Sequence, residues 1–216
     1  MKNKNLPELL SPAGSLESVM AAVRGGADAV YLGGTAFNAR MNSHNFGGDA
    51  LRSAVLRAHS YGVKVYLTLN TLVGDREIPL ALAAAEEAAN AGVDALIVQD
   101  VGLCRRIKAA MPAATLHAST QLSCHTPAGV TFLRDAGFSR VVLAREMSRE
   151  EIAACCNLGC EIEVFVHGAM CISYSGRCLL SNYFVGRDAN QGACTHPCRW
   201  KYAVVEESRP GEYLPV

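Results

Sequence analysis

The sequence predicts an α/β fold: a TIM-type (β/α) barrel, incomplete or modified, with a cysteine-rich segment at its C-terminal side. Three observations predict it. First, a unit recurs in which a helical stretch ends at glycine and a short polar step leads into an apolar run: Gly26 before Ala29, Gly62 before Val65, Gly92 before Ala95, Gly137 before Val141 and Gly159 before Ile162. Second, these runs alternate strictly with helical patterns, and such alternation builds a parallel sheet. Third, the segment after the first strand, Ser11-Pro-Ala-Gly14-Ser15, is not the glycine fingerprint of an open dinucleotide-binding sheet.

Seven strands are expected, at residues 8–11, 29–32, 64–69, 95–98, 115–118, 140–144 and 162–167. Glycine just past a helix takes the left-handed conformation without a steric penalty, so each glycine of the unit marks a helix end. Helix starts are signalled as well. Ser15 caps the helix carrying Leu16, Val19, Met20 and Val23, and Asp49 precedes Leu51, Val55 and His59. Pro79 fits the first turn of an alanine-rich helix, and Thr126-Pro127 is a cap followed by a first-turn proline. Ser148 with Glu151 forms a capping box, and Pro112 ends the helix that begins near Gly102. The barrel portion is expected over residues 1–168 and the cysteine-rich segment over 169–216. A full barrel takes about 250 residues. The eighth strand is expected after the cysteines or beyond Val216, and the sequence reads as the N-terminal part of a longer protein.

The 216 residues are enough for one large domain, and 50% apolar with 19% charged residues is ordinary globular composition. Formal charge is zero, so no global field draws the chain to nucleic acid or membrane. No signal-peptide pattern follows Met1 and no apolar run approaches the roughly 20 residues of a membrane span. A cytoplasmic location is expected, and there nine cysteines argue against a disulfide framework. Cys104 and Cys124 carry no signal of chemistry. Cys155, Cys156 and Cys160 fall on or just past a predicted helix and read as small buried hydrophobes.

Chemistry is expected at the C-terminal ends of the strands. Those ends carry Ser11, Gly33-Gly34, Asn70, Gln99-Asp100, His117, Ser119, Gln121, Arg145-Glu146 and His167. Asn38 and Arg40 lie in the loop Phe37-Asn-Ala-Arg-Met-Asn42, whose guanidinium and amides suit an anion. Asn38, Arg40, Asn70, Gln99, His117 and Gln121 are therefore the substrate-binding candidates. Glu163, Phe165 and His167 share one face if the last strand is regular. A carboxylate in an apolar strand needs a partner, and Arg145 is the candidate. His167 reads as a base, a donor to substrate or a satisfied core histidine. Glu163, Arg145 and His167 make up the catalytic candidates.

Cys171, Cys178, Cys194 and Cys198 lie within 28 residues, with intervals of six, fifteen and three. Four thiolates suit zinc or an iron–sulfur centre, and the spacing leaves both open. Between His167 and Val205, Arg177, Arg187, Arg199 and Lys201 stand against one acid, Asp188, with Trp200 and Tyr202 interleaved. Basic residues beside aromatics can hold single-stranded nucleic acid. No His-Glu-x-x-His or Gly-x-Ser-x-Gly motif is present.

The run Glu163-Val-Phe-Val-His-Gly-Ala-Met-Cys171-Ile-Ser-Tyr-Ser-Gly-Arg-Cys178-Leu-Leu-Ser181 resembles the signature of the collagenase-like peptidase U32 family. The stretches Glu8 to Gly14, Phe37 to Arg40, Tyr66 to Asn70 and Asn190 to Trp200 resemble the same family, so the likeness covers nearly the whole chain. It implies an incomplete or modified TIM-type barrel. It also implies either peptidase activity or oxygen-independent or prephenate-linked hydroxylation of tRNA, ribosomal RNA or a quinone precursor. A [4Fe-4S] cluster on Cys171, Cys178, Cys194 and Cys198 is implied too, with prephenate as co-substrate, RNA as partner and a protein partner of the same family. Hydroxylation of RNA is the favoured expectation. Proteolysis is the alternative, and a cluster-bearing adaptor the second alternative.

Overall fold

The computed structural model describes residues 6–39, 41 and 45–215. Strands β1 (Leu10–Pro12), β2 (Ala29–Gly33), β3 (Lys64–Leu69), β4 (Ala95–Val98), β5 (Leu116–Ala118), β6 (Arg140–Val142) and β7 (Glu161–Glu163) form one sheet. They lie in sequence order, and every neighbouring pair is parallel. Helices α1 (Leu16–Arg24), α2 (Gly48–His59), α3 (Ile78–Ala91), α4 (Val101–Ala110), α5 (Pro127–Asp135) and α6 (Arg149–Cys155) fill the crossovers. The result is the greater part of a (β/α) barrel, as the sequence predicts.

Local chemistry sets the helix ends. Ser15 accepts from the Ser18 amide, Thr126 from Gly129 and Ser148 from Glu151, so orphan amides of the first turn are satisfied. The five glycines of the recurrent unit all have positive φ. Alternation along the strands then divides the sheet's two faces. Leu32, Leu69, Val98 and Leu116 pack in the core between sheet and helices. Ala29, Tyr66, Ala95 and Ile97 form a smaller cluster on the inner, concave face.

Two strands end earlier than the sequence predicts. β6 stops at Val142, and β7 stops at Glu163 rather than reaching His167. β7 is an edge strand whose partner is β6, and the Leu143 amide bonding Glu163 O at 2.9 Å continues the ladder just past β6. With no partner beyond, Val164, Phe165 and Val166 leave the sheet and are exposed. Glu163, Phe165 and His167 therefore do not share a strand face. Cys104, Cys124 and Cys155 are buried, but Cys156 is exposed. It caps the C-terminus of α6 with extended backbone, which turns it away from the core.

The cysteine-rich segment holds α7 (Leu180–Val185), ended by Gly186 at φ 65, and an antiparallel pair, β8 (Ala203–Val204) with β9 (Leu214–Pro215). That pair is a sheet of its own, so it does not supply the eighth barrel strand expected after the cysteines. No helix among the described residues is long and apolar enough to cross a membrane.

Candidate functional site

The strand ends gather most of the predicted residues into one hydrogen-bonded rim. Asn70, just past β3, accepts from the Ala39 amide at 3.0 Å and donates to Ser119 Oγ at 3.3 Å. Ser119 Oγ also accepts from the Gln121 amide at 3.2 Å, which opens a single turn, Thr120–Leu122, after β5. Gln99, past β4, donates to Gln121 O at 3.4 Å. Asn38 is buried and donates to Gly34 O at 2.6 Å and to Asn45 Oδ1 at 3.1 Å. Arg145, past β6, bonds Ser175 Oγ at 3.1 Å, and Thr120 holds the same hydroxyl at 3.4 Å.

The cysteine-rich segment lies over this rim. Leu72 N donates to Asn190 O at 3.1 Å. Gly176 (φ 70) packs on Gln121 O, and Gly192 (φ 84) packs on Asn38 O, so closely that neither position has room for a Cβ. Ser175 is fully covered. The segment is thus pinned to the mouth at four of its strand-end loops, those after β2, β3, β5 and β6.

Below the rim, the inner face carries a charged network. Arg140 Nη1 meets Glu8 Oε1 at 2.7 Å and Glu163 Oε2 at 3.3 Å, while its Nη2 meets Glu161 Oε2 at 2.7 Å. Tyr66 donates to Glu8 Oε1 at 2.8 Å, and Lys64 pairs with Glu8 Oε2 at 3.0 Å. Burial works against the charge on Glu8, but bonds from Arg140, Lys64 and Tyr66 outweigh it and hold the carboxyl at about 2. For Glu163 burial wins, pushing its carboxyl up against the pull of Arg140. The partner of Glu163 is therefore Arg140, whose side chain shares the inner face, and not Arg145, which points to Ser175.

His117 lies between the network and the rim on β5, edge-on to Tyr66 with centroids 4.7 Å apart. Burial, reinforced by the positive charge of Arg140, lowers it to about 3, so it is neutral at pH 7. Two buried side-chain atoms have no hydrogen-bond partner among the described residues, His117 Nδ1 and Gln99 Oε1. Both belong to predicted substrate-binding residues. Orphaned buried polar atoms mark a place where water or a ligand group belongs. A neutral imidazole, an amide carbonyl and a carboxyl of raised pKa can bind, orient and exchange protons with a polar group.

Not every candidate joins this set. His167 is exposed, four residues past the end of β7. Arg40, with Asn42, lies outside the described residues. Arg140 was passed over as the polar step into β6, although its parity with Val142 places it on the inner face.

The four cysteines of the segment are free thiols: Cys178 and Cys194 are half-buried, Cys171 and Cys198 exposed. The Cys194 sulfur receives the His196 amide at 3.4 Å and Ser181 Oγ at 3.9 Å. Their donor chemistry suits a cluster. Their placement does not, because among the described residues no three of His, Cys, Asp or Glu gather as a metal requires.

A family profile described as "Peptidase family U32" matches residues 14–214. The chain belongs to peptidase family U32. Within U32-type relatives it is 41% identical to "tRNA hydroxylation protein P" of Escherichia coli (strain K12), over 93% of this chain and 45% of that protein. It is 42% identical to "23S rRNA 5-hydroxycytidine C2501 synthase" of the same strain, over 93% of this chain and 30% of that protein. It is 35% identical to "Collagenase" of Porphyromonas gingivalis (strain ATCC BAA-308 / W83), over 95% of this chain and 52% of that protein. The chain thus spans about half the length of such relatives, or less. The fold is shared with the solved U32 peptidase Mk0906, at TM-score 0.63 and 16% identity over 76% of this chain and 70% of that one.

Proposed function

We propose that this U32 protein serves the hydroxylation of RNA, tRNA or ribosomal RNA, rather than proteolysis. The observation that carries the reading is the 41–42% identity, over 93% of the chain, to relatives named for tRNA and ribosomal RNA hydroxylation. The rim supports it. Neither Ser119 nor Ser175 bonds a histidine among the described residues: Ser119 takes Asn70 and Gln121, and Ser175 takes Arg145 and Thr120. Among the described residues, neither of these two serines is activated as a serine peptidase requires.

In this reading Asn70, Gln99, Gln121 and His117 hold the polar groups of the substrate, and Arg145 fixes the covering segment over it. Glu163 handles the proton, burial having raised its carboxyl above the ordinary carboxylate value. Cys171, Cys178, Cys194 and Cys198 are proposed as ligands of a [4Fe-4S] cluster, with zinc the alternative. Such a cluster would supply electron-transfer chemistry. Prephenate as co-substrate belongs to the same proposal.

The test is mass spectrometry of RNA nucleosides from cells with and without the gene. A hydroxylated nucleoside should vanish on deletion and return with the wild-type gene, but not with the Glu163→Gln form. An unchanged nucleoside profile, together with cleavage of gelatin by the purified protein, would establish proteolysis instead.

A further inference from the structure

Four aromatic rings gather on the cysteine-rich segment, and all remain open to solvent. Phe184 of α7 is at their centre, its ring 5.3 Å from Tyr183, 6.0 Å from Trp200 and 6.2 Å from Tyr202. Tyr183 is 84% exposed, and the other three are 43–46% exposed. The rings are held in place. Tyr202 donates its hydroxyl to Pro197 O at 2.8 Å, and Pro197 itself is buried. Exposed aromatic faces that are fixed in position but cover nothing mark a binding surface.

The charges that flank Trp200 in sequence have one sign. Arg199 and Lys201 flank Trp200 in sequence and are exposed. The acid of this stretch, Asp188, is engaged by the Asn190 amide at 2.7 Å. Further on, Glu206 and Glu212 are taken by Arg209. A protein-binding core tends to be depleted of charge. Cations interleaved with exposed π faces instead suit a polyanion whose bases are free to stack.

We propose that Tyr183, Phe184, Trp200 and Tyr202 form a stacking platform for unpaired RNA bases, with Arg199 and Lys201 on the phosphates. The proposal rests on the RNA reading above and adds to it the form of the substrate: a loop or single-stranded stretch. A-form duplex keeps its bases stacked inside the helix and offers these rings no base face. The platform belongs to the segment whose Ser175, Gly176 and Gly192 sit on the rim, so the strand is held by the element that covers the site.

Trp200 is the chain's single tryptophan, so intrinsic fluorescence reads this face. A labelled single-stranded RNA of roughly twelve nucleotides is titrated against the protein, following anisotropy and tryptophan emission together. The expected result is quenching that saturates with the anisotropy, and much weaker quenching by the same sequence as duplex. Tyr183→Ala, at the most exposed ring of the four, should weaken single-strand binding by about fivefold to a hundredfold, while Tyr183→Phe should not. Arg199→Gln with Lys201→Gln should flatten the salt dependence by about 1.4 in log–log slope. Binding seen by anisotropy, with Trp200 emission and Tyr183→Ala both unaffected, would overturn the platform and leave the RNA reading standing. No anisotropy change at all would overturn both. Emission that shifts with protein concentration alone would make the face a contact between copies and reject the proposal.

Discussion

Arg140 Nη1 stands 2.7 Å from Glu8 Oε1, although the two residues are 132 positions apart. Glu8 precedes the first strand and Arg140 opens the sixth, so the bond ties the two sides of the curled sheet across its inner face. The same guanidinium carries Glu161 and Glu163 and lies over the Tyr66 ring, 5.3 Å from its centroid. Its side chain is 9% exposed. Arg140→Met would leave the part-buried Glu8 and Glu163 without their cation, and the loss should lie between the about 1 kcal/mol of an exposed pair and the about 3–5 kcal/mol of a broken buried one. Arg140→Lys should recover only part, because a point charge cannot replace the fork. Urea denaturation checks this; a loss below about 1 kcal/mol for Arg140→Met, the range of an exposed pair, would show that the network is solvated.

The network also sets the response to acid. Glu8 falls from 4.5 to about 2 in the folded chain. A depressed carboxyl contributes stability that is complete above about 4.5 and is lost as pH falls through about 2. His117 falls from 6.5 to about 3, so the unfolded chain binds its proton first and stability declines as pH drops from 6.5 toward 3. Glu8→Gln should flatten the lower window and His117→Phe the upper one. Unfolding free energy measured from pH 7 to 2 reads both. Parallel curves for wild type and His117→Phe between 6.5 and 4.5 would mean that the imidazole is solvated.

These two windows expose what the sequence conveyed and what it withheld. The scaffold was legible because each glycine-to-strand step is local: the caps at Ser15, Thr126 and Ser148 and the turn glycines act within a few residues. The rim was legible because residues just past parallel strands must face one mouth. Which charges meet was not legible, since Glu8 and Arg140 are brought together by curvature of the whole sheet. Glu163, in an apolar strand, did signal a cation nearby, and the inner-face parity of Arg140 could have named it. The end of β7 was missed because the apolar run continues past the last residue that has a neighbour to pair with.

Gln99 gives a stability–activity prediction. Its Oε1 is buried and without a partner among the described residues, and a buried polar group left so costs about 1–3 kcal/mol. Gln99→Met keeps the volume and removes the orphan. It should raise the thermal midpoint while lowering yield of the modified nucleoside at least tenfold. A variant that is destabilised would show that a bound water already satisfies the carbonyl.

Gly176 and Gly192 test whether the covering segment is needed at the mouth. Each combines positive φ with backbone contact to Gln121 O or Asn38 O, so alanine is excluded by both conformation and space. Gly176→Ala should speed hydrogen exchange across residues 169–200 while strands β2–β5 keep their protection. Cooperative loss of protection throughout would instead make segment and barrel one folding unit.

The remaining prediction concerns the thiols. Cys178 and Cys194 lie on either side of α7 in sequence, half-buried, and Asn190, bonded to Cys178 O at 3.1 Å, belongs to the turn between α7 and Cys194. The Cys194 sulfur accepts the His196 amide at 3.4 Å. Cys171 is in an irregular stretch and Cys198 in the single turn Pro197–Arg199, both exposed. A cluster on all four therefore requires the thiols to move together, and ligation energy must order that movement. Anaerobic reconstitution should give about four irons and four sulfides per chain, with slowed hydrogen exchange around residues 170–178 and 194–199. Cys171→Ser or Cys198→Ser should abolish iron uptake, whereas Cys156→Ser, at an exposed thiol outside the set, should leave it intact. One zinc per chain with no iron would replace the cluster by a zinc site. Full iron uptake by Cys198→Ser would assign the fourth ligand to another residue.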